Sequence, residues 1–497
     1  MMFVMEQTIG FCQETRPENC GFILFGATGH LAAGKIIPAL FGLCAKNLAP
    51  ENLYFLFAAR TGIERQAFEE HLATAIFAAG EKPSPRELKN FLEKVEYLRA
   101  DYESDDFYRR LSGRLDELDV KFGLKKKRLF YLATPPAAFE LITKKLKAHG
   151  LLFDPKDCGC WSRIIIEKPY GSSLETAAAL DTGLKETASE AQIYRIDHFT
   201  GKETVQNVLA LRAANSVFDE TWNNSFIDRV QITVFEELGL EGRAGFFEKM
   251  GLARDMMSHI LQLAAITAMD LPASFKDTDF KLEKRRFFES IPLLDSEAVS
   301  RQVVRAQYDG YLGESGVAAG SRAETFLAFK FHVNNDRWRG VPFHVRAGKK
   351  TGTKKTKIDL VYKKPAHGIF KAMEIGYPNI FSFEIQPAES MNFSLIAKHP
   401  GPKFCLTSRT MDLNYREHRE EFSSPTDYER LLIDAMAGDQ TLFLSAFEVR
   451  FMWQFLSPIL AAWSDGAANI PLYAYPADTE GPQEAANLLK KDGKEWL

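Results

Sequence analysis

Between residues 20 and 197 short apolar runs recur, each followed by a stretch of helical spacing, and this alternation constrains the fold more than any other feature. The runs are "GFILFG" (21–26), "LYFLFAAR" (53–60), "VEYLRADY" (95–102), "RLFYLAT" (128–134), "SRIIIEKP" (162–169) and "AQIYRIDH" (191–198). Residues 63–80 and 135–149 carry the intervening helical periodicity. Continuous apolar strands alternating with helices predict a mostly parallel sheet covered on both faces. After residue 198 strands follow one another with little helix between: 229–237, 301–308, 326–333, 341–348, 357–364 and 380–387. That pattern predicts a larger α+β domain with a mainly antiparallel sheet, covered by helical stretches at 244–270 and 427–461.

A chain of 497 residues is too long for one ordinary core, in keeping with two domains. Its net charge of −4 gives no bulk argument for nucleic acid or an anionic membrane. No apolar run reaches the roughly 18 residues that a membrane helix needs. The first 19 residues lack the basic start and apolar block of a targeting peptide and are expected to form a short lead-in. Six cysteines with no second pair at metal-finger spacing predict free thiols in a reducing cytoplasm, and no metal.

The first strand runs into "GATGHLAAGKIIPALFGL". Gly26 allows a sharp turn, Gly29 lets the backbone approach a pyrophosphate, and Ala32 permits close helix–strand packing. The helix that follows presents free N–H groups to phosphate. This is the pattern of a Rossmann-like dinucleotide site over residues 20–197. An NAD site would carry an acid at the end of the second strand. Arg60 and Thr61 stand there instead and suit a 2′-phosphate, so the cofactor expected is NADP. The fifth strand delivers Lys168 and Pro169 to the edge where such sheets bind ligands.

"YRIDHFTGKETVQN" (194–207) places an acid, an imidazole and an ammonium where a strand gives way to a helix. His198 and Lys202 suit a phosphate dianion, one as hydrogen-bond donor and one as point charge. Asp197 would repel that phosphate and needs another partner. "GLARDMMSHILQLAAITAMD" (251–270) offers one in His259, which as a helical residue shares a face with Asp255.

These stretches, in order with "FYLATPP" (130–136), "EKPYG" (167–171), "EELGLEGRAGFFEKMGLARDMMSH" (236–259), "VPFHVRAGK" (341–349), "IQPAES" (385–390) and "DYERLLIDAM" (427–436), resemble the glucose-6-phosphate dehydrogenases. The family signature runs Arg-Ile-Asp-His-Tyr-Leu-Gly-Lys-Glu, and the resemblance spans about residues 20–480. It implies oxidation of D-glucose 6-phosphate at C1 to a lactone with NADP, by His259 as general base paired with Asp197. His198 and Lys202 would hold the phosphate, and Lys168 would touch substrate and cofactor. Glu236, Asp255 and Lys349 would bind sugar hydroxyls, with Lys354 and Gln386 nearby. Gly26, Thr28, Gly29, Lys35, Arg60 and Pro135 would line the cofactor site. A domain at 198–497 would bind substrate and form a cytoplasmic homodimer or homotetramer through its sheet. The alternatives are a weakly catalytic sensor of NADP or sugar phosphate, and a dehydrogenase for another phosphosugar.

Four positions depart from the family pattern. His30 replaces an Asp, and Phe199 replaces a Tyr whose hydroxyl would meet the phosphate. The Asp255–His259 spacing is one residue shorter, so either a family bulge is absent or Asp255 has moved. Glu384, Asn392 and Ser394 stand where some members bind a second, structural NADP, which is therefore not expected here.

Overall fold

The computed structural model describes residues 17–154, 159–240, 242, 244–365, 378–414, 425–464 and 470–497; the expected lead-in lies outside them except for Pro17–Asn19. The described residues form two compact units. The first takes Met1–Ile166, Thr187–Tyr194 and Tyr428–Gln440; the second takes Glu167–Glu186, Arg195–Asp427 and Thr441–Leu497. The chain therefore passes between the units several times.

The first unit is built on six strands: β1 (Cys20–Phe25), β2 (Leu53–Ala59), β3 (Val95–Arg99), β4 (Lys127–Leu132), β5 (Trp161–Ile166) and β6 (Ile193–Arg195), in the order β3-β2-β1-β4-β5-β6. The pairs β3–β2, β2–β1, β1–β4 and β4–β5 are parallel. The apolar runs are unbroken because both faces are covered: every residue of β1 and β2 is buried. Strand order reverses between β1 and β4, and the crevice beyond their carboxyl ends is where sheets of this kind take ligands.

The second unit holds nine strands: β7 (Ile227–Glu236), β8 (Val303–Tyr308), β9 (Phe326–His332), β10 (Pro342–Lys349), β11 (Lys355–Tyr362), β12 (Ile380–Gln386), β13 (Ser390–Lys398), β14 (Leu406–Asn414) and β15 (Leu472–Tyr475). Their order is β14-β13-β12-β11-β7-β10-β9-β8-β15, with β7–β10 and β8–β15 parallel and the remaining pairs antiparallel. The helix Ala244–Ala268 packs on β7, β9 and β10.

Differences from the expected pattern have local causes. β6 ends at Arg195, so Asp197 and His198 lie in a turn closed by Thr200 N–H donating to the Asp197 carbonyl (3.1 Å). The expected helix at 427–461 is two helices, Asp427–Ala437 and Ala446–Ser464. Gly438 ends the first with φ +88, and a Cβ there would lie 2.6 Å from Arg163 Nη2. Most of the first helix belongs to the first unit and not to the unit that holds the large sheet. The strands β13 and β14 had no apolar run to mark them: their exposure is mostly intermediate or high. Cys20, Cys44 and Cys405 are free. Cys160 is disulfide-bonded and departs from the expectation of free thiols.

Candidate active site

The turn after β6 and the helix Ala244–Ala268 bring Asp197 and His259 together across 62 residues of sequence. That helix is broken at Gly251 (φ +63, ψ +170) and runs without another irregularity to Ala268. Asp255 and His259 thus lie on one regular stretch, and the shorter spacing reflects the absence of a bulge between them. Glu324, which is 3% exposed, sets the start of this stretch. Its carbonyl accepts from Leu252 N–H (3.0 Å) and its carboxylate from Ala253 N–H (2.9 Å), satisfying two amides that a helix start leaves open.

His259 Nδ1 lies 2.5 Å from Asp197 Oδ1, and both side chains are buried. The same oxygen accepts from Phe199 N–H at 3.1 Å. Burial favours a neutral Asp197, yet the charge and hydrogen bond of His259 outweigh it and hold the carboxyl well below its usual range. Burial lowers the His259 pKa below 6.5, against the pull of Asp197. At neutral pH the pair is therefore carboxylate and neutral imidazole, with Nδ1 protonated and the lone pair on Nε2.

Lys168 Nζ occupies that lone pair at 2.9 Å and also donates to the Asp255 carbonyl (2.8 Å) and Ser258 Oγ (3.1 Å). Lys168 and Asp255 line a cavity of about 110 Å³ with Arg254 and Ser258. The Phe199 ring stacks on the imidazole of His259, centroids 4.2 Å apart at 27°, and His198 meets that imidazole edge-on at 4.7 Å. Phe199 therefore packs on His259. Burial, and next the neighbouring His259, push His198 well below its ordinary range. Lys202, at the start of the helix Glu203–Ala214, pairs with Asp427 at 2.9 Å and sits 5.7 Å over the Phe199 ring.

The sugar-binding candidates gather at one end of the nine-stranded sheet. Glu236 and Lys349 are register partners on β7 and β10 and form an ion pair. Gln386, the last residue of β12, donates to Thr356 Oγ1 on β11 at 2.9 Å. Lys354 is exposed just before β11, and no described residue ties it to this cluster. Sequence reasoning missed Ser258, Asp427 and Glu324, whose partners are set only by the tertiary fold.

In the first unit, Gly26 takes φ +85, and a Cβ there would lie 2.3 Å from the Ala133 carbonyl oxygen. Its N–H is committed to Ala58 O (2.8 Å) and Tyr102 OH (3.0 Å), which holds the turn. Gly29 N–H closes onto Gly26 O at 2.9 Å. Thr28 and Gly29 are half-buried after β1, Lys35 is exposed on the π-helical turn Ala32–Ile36, Arg60 is exposed after β2, and Pro135 is exposed after β4. Amides at a helix start with two exposed cations, and no acid between Arg60 and Ile63, form a donor set that fits a dinucleotide carrying a 2′-phosphate.

Residues 23–207 match the model of the "Glucose-6-phosphate dehydrogenase, NAD binding domain" and residues 209–497 that of its C-terminal domain. The chain is 36% identical to glucose-6-phosphate 1-dehydrogenase of Chlamydia pneumoniae over 100% of this chain and 99% of that one. It is 37% identical to the Treponema pallidum enzyme over 95% and 94%. A solved glucose-6-phosphate dehydrogenase in complex with glucose 6-phosphate superposes with a TM-score of 0.89 at 30% identity, covering 97% of this chain and 99% of that one. Family models spanning both units and full-length relatives of this similarity agree: the chain belongs to the glucose-6-phosphate dehydrogenase family.

Proposed function

We propose that the cluster around His259 oxidises D-glucose 6-phosphate at C1 to 6-phospho-D-glucono-1,5-lactone, the first step of the oxidative pentose phosphate route. The observation that carries this reading is the buried Asp197–His259 pair, whose second ring nitrogen, Nε2, meets only the displaceable ammonium of Lys168. When bound, NADP supplies the nicotinamide that takes the hydride leaving C1. Thr28, Gly29, Lys35, Arg60 and Pro135 would hold it, with Gly26 shaping the turn and Lys168 touching both ligands.

His259 Nε2 takes the C1 hydroxyl proton. Asp197 keeps the ring in the required tautomer and stabilises the imidazolium as it forms. The sugar hydroxyl replaces Lys168 at Nε2, which frees the ammonium to donate to the substrate. Lys202 and neutral His198 bind the phosphate, for which Lys202 must give up Asp427. Glu236, Asp255 and Lys349 orient ring hydroxyls, with Gln386 and Lys354 at the margin. Fixing the sugar at several points brings C1 to the base in a reactive orientation.

No described helix is long and apolar enough to cross a membrane. We place the protein in the cytoplasm, as a homodimer or homotetramer. NADPH formation with glucose 6-phosphate, against glucose and other phosphosugars, tests the activity. Equal rates with unphosphorylated glucose would remove the phosphate clamp from this account.

A further inference from the structure

We infer that Arg99 is a second phosphate-reading group of the cofactor site and shares with Arg60 the choice of a dinucleotide bearing a 2′-phosphate. The inference rests on the placement of the cofactor at the carboxyl edge of the parallel sheet.

Arg99 is the last residue of β3, and its register partner on β2 is Ala59. Arg60 and Arg99 therefore leave adjacent parallel strands at the same edge. The Arg99 side chain does not extend away from that edge. Its Cδ, Nε and Nη1 lie 3.6, 3.9 and 3.9 Å from the place of a Cβ on Gly62, so the guanidinium lies along the turn Arg60–Gly62. The turn is itself tied to β3, because Tyr97 OH donates to the Thr61 carbonyl at 2.5 Å. A Cβ at residue 62 would meet Arg99 only in ordinary van der Waals contact.

Both guanidiniums are exposed, and neither has a carboxylate partner among the described residues. Nearby arginines differ. Arg65 pairs with Glu69, Arg110 with Asp106, and Arg114 with Glu96 and Glu117. Glu64, the first acid after β2, precedes the helix Arg65–Ala78 and leaves the Arg60–Ile63 stretch without negative charge. Two unpaired guanidiniums that leave adjacent strands at one sheet edge gain by sharing an anion. A phosphate dianion offers three acceptor oxygens, enough for two planar forks, whereas a ribose 2′-hydroxyl can satisfy neither.

The test is calorimetric binding of 2′,5′-ADP and 5′-ADP to the full chain, for wild type, Arg60→Ala, Arg99→Ala and Arg99→Lys. Arg99 is exposed, so the variants keep the fold. Arg99→Ala should weaken 2′,5′-ADP by about tenfold or more and leave 5′-ADP within about twofold. Arg99→Lys should recover only part of the loss, since a point charge replaces a fork. Two results overturn the inference: unchanged 2′,5′-ADP binding by Arg99→Ala, or equal loss for both ligands, which would make Arg99 a support for the adenine. If Arg60→Ala discriminates between the ligands and Arg99→Ala does not, Arg99 alone is excluded. If neither does, the placement of the 2′-phosphate at this edge falls as well.

Discussion

A buried imidazole with one nitrogen committed to a carboxylate has one nitrogen left for chemistry, and here it is Nε2 of His259. His259→Asn should lower kcat by about 10²–10⁴-fold while 2′,5′-ADP binding is unchanged; a variant keeping a tenth of the activity would show that another group takes the proton. The pH dependence has a definite sign. A general base works in its neutral form, and burial lowers the pKa of His259, so with His259 in the proposed role activity should fall as the solution is acidified through a value below 6.5. An acid limb of kcat/KM at or above 6.5 in the free enzyme contradicts that. Asp197, His198 and Lys168 were legible in the sequence as chemistry-bearing candidates because they follow strand ends, and His259 because it shares a helical face with Asp255. What Phe199 does was not legible. Its missing hydroxyl pointed to the phosphate, but its ring lies on His259, a neighbour 60 positions away. Phe199→Leu should therefore lower kcat about 2–10-fold with the Michaelis constant for the sugar phosphate nearly unchanged. The reverse split would return Phe199 to the phosphate.

At the scale of elements, the helix that carries His259 depends on a break the sequence shows only as a single glycine. Gly251 sits at φ +63, and a Cβ there would lie 2.4 Å from Glu324 Oε1. Gly251→Ala should destabilise the protein by about 2–4 kcal/mol, combining left-handed strain with displacement of the buried carboxylate that caps Ala253. It should also lower kcat, because the start of the helix sets where His259 lies. Thermal unfolding and kcat, measured together, check this. A variant as stable as wild type would mean that the kink is not held in place by Glu324. Helical periodicity over 244–270 revealed the helix but not the break, since a glycine inside such a pattern is compatible with a straight helix. Similarly, the six strands of the first unit were legible because burial on both faces leaves unbroken apolar runs. β13 and β14 alternate and are partly exposed, which makes them resemble loops in sequence.

For the whole molecule, the large sheet ends in a surface that the described helices do not cover. Phe381 and Phe393 pack together and against Phe218 of the short helix Ser216–Thr221. Across from Phe393, on the outermost strand, stands Met411, and Met391 faces Leu413 in the same way. Met411 is 57% and Leu413 46% exposed, so an apolar stripe continues past its cover to the edge of the sheet. A long edge strand with exposed apolar side chains invites pairing. A second copy of the same chain satisfies it most simply, because the stripe would meet itself across a two-fold axis. The expected state at micromolar concentration is thus a dimer or tetramer, and Met411→Arg combined with Leu413→Arg should raise its dissociation constant at least about tenfold. Four charges would then have to be buried against each other where apolar contact had been. Sedimentation velocity over a dilution series reads this directly, with the far-ultraviolet dichroism showing that each subunit stays folded. If wild type and the double variant sediment alike as oligomers, the interface lies elsewhere on the molecule. If wild type is a monomer throughout the series, the stripe has no partner copy and the proposed assembly is wrong.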